Sequence, residues 1–163
     1  MKPLKASVDG LQLLYYPKHQ FTPVALRYIR SPFHPIHPKI AHMWNDRDQS
    51  GLWWRASTHQ LLSFKRVVRS WCARRARIAF QEALKQRGFD KLGISLPTTA
   101  SGQQEDLTGS LEIIIRPTFV QQTYQAVQHE MNHLLDKILR QRAIRRDSAA
   151  KTLWPSSRSR VKS

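Results

Sequence analysis

The chain has one cysteine, few acids and no long apolar run, and each shortage removes a class of protein. With Cys72 alone in 163 residues, neither an internal disulfide nor a multi-cysteine zinc site can form. There is no N-x-S/T acceptor either, so the pattern argues against secretion and for an intracellular protein. No apolar stretch approaches the ~18 residues a membrane-spanning helix requires, so no transmembrane segment is expected. Also missing are a G-x-S-x-G nucleophile elbow, a P-loop and a glycine-rich dinucleotide fingerprint. Within the first forty residues Asp9 is the one acid, a poverty compatible with a mitochondrial transit segment; the mitochondrion and the nucleus are the compartments this composition favours.

The scarcity of acids leaves a large imbalance. Against 27 Lys+Arg stand 11 Asp+Glu, a formal net charge of +16. Self-repulsion on that scale is relieved by a polyanion, so the expected partner is RNA or another polyanion. Two clusters dominate. Residues 65–91 hold nine Lys/Arg against Glu82 and Asp90, and residues 137–163 hold nine against Asp147. Arginine prevails in both, and its planar fork matches phosphate oxygens. The candidate phosphate contacts are Arg66, Arg74, Arg77 and Lys85 in the first cluster. In the second they are Arg140, Arg142, Arg145 and Arg146. Trp53, Trp54 and Trp71 are interleaved with these cations, either to stack on unpaired bases or to pack in the core.

The spacing of prolines and apolar residues divides the chain in three. Prolines at 3, 17, 23, 32, 35 and 38 predict an irregular, proline-rich arm over residues 1–56, its aromatics packing on the rest or on a partner. Residues 57–142 form the regular unit: helix, loop, strand, helix. The first helix is expected from Ser57 to about Arg87. Val68, Cys72, Ala76, Ala79 and Ala83 form its small, packed stripe, and Gly88 ends it in the left-handed conformation. Residues 90–110 read as loop. "LEIIIRP", residues 111–117, is the strand. A second helix follows from Thr118 to about Arg142, with Val120, Tyr124, Val127, Met131, Leu134 and Ile138 as its apolar seam. Residues 143–163 read as a basic, disordered tail. The fold class expected is mainly α with a minor β element.

One stretch looks like chemistry. "VQHEMNHLLD" places His129, Glu130 and His133 in an H-E-x-x-H pattern. On a helix this puts two imidazoles one turn apart for Zn²⁺ and a carboxylate beside the bound water. The string "QHEMNHL" also resembles the third motif of peptide deformylases, Gln-His-Glu-x-Asp-His-Leu. The resemblance implies His129 and His133 as metal ligands and Glu130 as the base. It spans about seven residues; Asn132 stands where that motif has aspartate, and the family's Gly-x-Gly-Leu-Ala-Ala-x-Gln and Glu-Gly-Cys-Leu-Ser stretches are absent. Helical phase weighs against metal chemistry, since the histidines share a stripe with Gln122, Gln125, Asp136 and Arg140, across from the apolar seam. His34 and His37, with His42 nearby, form a proline-framed histidine group without neighbouring cysteine or carboxylate. Cys72 falls in the small-residue stripe and reads as a packed thiol rather than a nucleophile.

The residues therefore favour a non-enzymatic basic protein bound to nucleic acid, most naturally RNA, as an organellar ribosomal-type subunit or assembly factor, with no cofactor. The alternatives are an assembly factor docking a partner protein through the 120–138 seam, and a degenerate H-E-x-x-H metallohydrolase.

Overall fold

A computed structural model describes residues 3–96 and 105–153. Strands β1 (Leu4–Ser7) and β2 (Leu11–Tyr16) form an antiparallel hairpin in which Ser7 pairs with Gln12 and Leu4 with Tyr15. The cause is a period of two: Ala6, Leu11, Leu13 and Tyr15 fall on one face and are buried to 1% exposure or less. Two short helices follow, α1 (Pro23–Ile29) and α2 (His37–Asn45). Their prolines lie in the first turn, where the missing N–H costs nothing, and Thr22 Oγ1 caps α1 by accepting from Ala25 N at 3.2 Å. Strand β3 (Leu52–Ser57) completes this region. The expectation of an irregular N-terminal arm is thus corrected. Pro23 and Pro38 start helices instead of breaking them, and Pro17, Pro32 and Pro35 lie between elements.

Beyond β3 come a 3-10 turn (His59–Leu61), helix α3 (Arg66–Gln86), strand β4 (Gly109–Ile115), a second 3-10 turn (Pro117–Gln121) and helix α4 (Tyr124–Leu153). Ser57 ends β3 and does not cap α3. The end of α3 is as its sequence foretells: Gly88 has φ 75°, its N–H donates to Lys85 O, and Phe89 N–H donates to Leu84 O. Helix α4 continues through residues 143–153, where a disordered tail was expected; the tail beyond 153 and the loop residues 97–104 lie outside the described residues.

The strands form one mixed sheet in the order β1-β2-β4-β3. Strand β4 runs antiparallel to β2 and parallel to β3, with α3 as the crossover. The fold is therefore roughly α/β, not mainly α, because the N-terminal segment supplies three of the four strands. Helix α4 crosses β1 and β2, and α3 lies over β3 and β4. Between helices and sheet, Leu13, Leu52, Phe80, Leu84, Ile113, Met131, Leu134 and Ile138 are fully buried or nearly so. Each such side chain contributes roughly 1.5–3 kcal/mol of transfer free energy. The helices are also pinned at one end, where Arg87 donates to Asp136 Oδ1 (2.6 Å), Asn132 Oδ1 (3.1 Å) and Asn132 O (2.7 Å). No helix among the described residues is long and apolar enough to cross a membrane.

Candidate nucleic-acid interface

The stripe Cys72, Ala76, Ala79, Ala83 is buried to 0% exposure, so α3 turns its opposite side outward. Arg66, Arg74, Arg77 and Lys85 are all exposed, as the helical phase requires. The structure then separates them. Arg66 and Arg77 stand on the flank facing β3 and, with Arg69, Ser70, Thr58 and Ala56, line a recess of about 340 Å³. Arg74 and Lys85 lie outside that recess.

Every charged side chain in the recess is a cation. Two hydroxyls, from Thr58 and Ser70, add donors that can also accept. The first turn of α3 contains no acid, and its N-cap, Lys65, makes no side-chain capping bond. Lys65, Arg66 and Arg69 thus crowd the positive end of a 21-residue helix, where an acid would be favoured and a cation is not. Arg69 Nε is buried there without a hydrogen-bond partner. An anion seated in the recess would meet three guanidinium forks, with the positive end of the helix dipole beside Arg66. The sequence reading missed Arg69, whose phase places it nearer the packed stripe than the outer one.

On α4 the second group is mostly engaged within the fold. Arg142 Nη2 donates to Asp106 O at 2.7 Å, and Arg146 pairs with Glu105. Both bonds hold the 105–106 segment against the helix. Arg140 is exposed and Arg145 half-buried on the same helix. These four do not join the α3 recess.

The tryptophans divide by strand face. Trp54 turns inward against Phe80, ring centroids 4.9 Å apart, while Trp53 turns outward. There a cleft of about 450 Å³ opens between the α1–α2 hairpin and the outer face of the sheet. Phe21 stacks on Trp44 at 3.6 Å, Trp44 meets Trp53 edge-on at 4.9 Å, and the Arg47 guanidinium lies 4.0 Å from the centre of the Trp53 ring. Arg55 donates to Glu112 at 2.8 Å on the floor. Trp71, 48% exposed, carries Arg75 at 4.9 Å instead of joining the core. Phe21, Trp44 and Arg47 sit in the segment read as an irregular arm, which hid this site from sequence reasoning.

The H-E-x-x-H residues do not converge. His129 and His133 are exposed on α4, whereas Glu130 is half-buried and accepts from Gln122 Nε2 at 2.6 Å. His34 Nδ1 accepts from Ile36 N, and His42 Nδ1 lies 3.1 Å from Asp46 Oδ2. No group of three His, Cys, Asp or Glu side chains able to hold a metal ion occurs among the described residues. Cys72 is fully buried, and that burial pushes its thiol pKa up. Of the 120–138 seam, Val127, Met131, Leu134 and Ile138 are at 0% exposure, and a partner helix there would have to displace the protein's own core; Val120 falls instead in the 3-10 turn before α4, and Tyr124 is 38% exposed.

Comparison with family models, curated proteins and solved structures finds no match to this chain.

Proposed function

We propose that this protein binds the phosphate backbone of a nucleic acid, RNA above all, as a non-enzymatic component or assembly factor of a ribonucleoprotein. One observation carries the reading: Arg66, Arg69 and Arg77 line a recess that runs along the flank of α3 from its acid-free first turn to its middle. Three forks in a concave site on a protein of net charge +16 match a polyanion better than any neutral ligand. The exposed Arg74 and Lys85 extend the same sign along the helix and would steer the strand toward the recess.

The test separates a site from mere net charge. Arg66, Arg69 and Arg77 are changed together to glutamine, and a control protein loses the same charge through Lys18→Gln, Lys39→Gln and Lys137→Gln, all exposed positions outside the recess. Affinity for a fluorescent RNA is measured at equal ionic strength. The recess variant is expected to lose at least ten-fold more affinity than the control. Equal losses would reduce the binding to bulk charge and remove the site.

A further inference from the structure

We infer that the aromatic cleft beneath the α1–α2 hairpin takes an unpaired nucleobase of a strand whose phosphates lie in the arginine recess, so that the nucleic acid bound is single-stranded. The inference rests on the phosphate-binding reading above and adds to it a second contact and a class of substrate.

Strand β3 connects the two places. Its outward residues Trp53 and Arg55 line the cleft, while Ala56, of opposite phase, and Thr58 just past the strand line the recess. Trp53 and Ala56 are three residues apart, about 10 Å at ~3.3 Å per residue. Because β3 is an edge strand, no further strand stands between the two sites among the described residues. A flexible strand crossing that edge reaches both. A duplex would reach the recess with its backbone, but its bases are stacked inside and unavailable to the cleft.

The cleft suits a base in shape and in charge. Phe21, Trp44 and Trp53 provide flat apolar surfaces, and Ser110, Glu112 and Arg55 place polar groups on the floor. Its volume of about 450 Å³ is within the range of small-ligand sites. Arg47 is exposed and its guanidinium lies over the ring of Trp53, which His19 also meets at 4.2 Å. A base stacking on that tryptophan would release the guanidinium to the adjoining phosphate, so both contacts form in one event. Glu112 does not repel the strand strongly, since Arg55 pairs with it at 2.8 Å. The hairpin that roofs the cleft contributes no buried residue to the core, which leaves it free to adjust around a ligand.

The experiment measures binding of the full chain to a labelled 12-nucleotide RNA, the same sequence as single-stranded DNA, a blunt duplex of equal length, and a nucleoside monophosphate, all at 150 mM salt. At least one single strand is expected to bind ten-fold or more tightly than the duplex, with the RNA and DNA arms identifying which. Trp53→Ala is expected to cost the single strand roughly ten-fold and the duplex little, with Trp53→Phe staying within about three-fold of wild type. Trp44→Ala serves as the second variant, because α2 buries nothing in the core and its loss leaves the fold intact. A duplex bound as tightly as the single strands would overturn the inference, as would a monophosphate matching the 12-mer or indifference to both tryptophan variants. In those cases phosphate binding by the recess would stand. No binding to any polyanion would instead remove the phosphate reading itself.

Discussion

Arg87 Nε donates to Asp136 Oδ1 at 2.6 Å, and through that bond the C-terminal end of α3 is fastened to the middle of α4. The same guanidinium binds Asn132 twice and the Ala83 carbonyl once, and its side chain is 15% exposed. Arg87→Gln would leave several of those acceptors unpaired, and a loss of about 1–3 kcal/mol in denaturant unfolding is expected.

The bond also sets a pH dependence. Hydrogen bonding to Arg87 holds the Asp136 carboxyl below its ordinary value of 3.8. A depressed folded-state pKa stabilises the fold above the unfolded pKa and loses that contribution as pH falls through the folded one. Wild type should therefore exceed Asp136→Asn in stability at pH 7, and the gap should close below about pH 4. Stability curves of constant separation down to pH 2 would refute this origin.

Tyr124 works in the opposite direction. Partial burial, and then its bond to Glu82 Oε2 at 2.7 Å, push the phenol up to about 12 from 10.0. A raised folded-state pKa gives stability that is complete below pH 10 and is lost as pH rises toward 12. Tyr124→Phe should remove that part of the alkaline loss, and a phenolate titrating late by ultraviolet absorbance should disappear with it. An unaltered absorbance titration would assign the late phenolate to another tyrosine.

The two faces of α4 give contrasting substitutions. His129→Ala, at an exposed position, should change stability by no more than about 0.5 kcal/mol. Met131→Ala and Leu134→Ala, both at 0% exposure, should each cost roughly 2–5 kcal/mol. Thermal unfolding of the three variants decides it; a costly histidine beside a tolerant methionine would mean that the helix presents its other side to the sheet.

What the sequence made legible is local. The last four residues of the expected seam, Val127, Met131, Leu134 and Ile138, and the glycine stop at Gly88 are where helical period and backbone conformation put them, whereas Val120 lies ahead of the helix and Tyr124 is exposed. The hairpin was also written locally, in the alternation of Leu11, Leu13 and Tyr15, but Leu14 and Tyr16 on the other face of "LQLLYY" blur that period and the surrounding prolines read as breakers. Strand β3 carries no alternation in "LWWRAS", because Trp54 packs inward while Trp53 joins a second, outer cluster. Arg69 of the recess and Arg47 of the cleft needed tertiary structure: each matters for what a distant segment brings beside it. The Arg87 anchor is of the same kind, since its acceptors lie 45 and 49 residues away.

The central claim is that the α3 recess holds phosphates, and the salt dependence of binding tests it most directly. The logarithm of the RNA affinity is plotted against the logarithm of salt concentration for wild type and for the protein with Arg66, Arg69 and Arg77 changed to glutamine. Each phosphate contact adds a slope of about 0.7 for a single strand and about 0.9 for a duplex, so losing three should flatten the line by roughly 2–3. Parallel lines for the two proteins, or a wild-type affinity indifferent to salt, would contradict the claim.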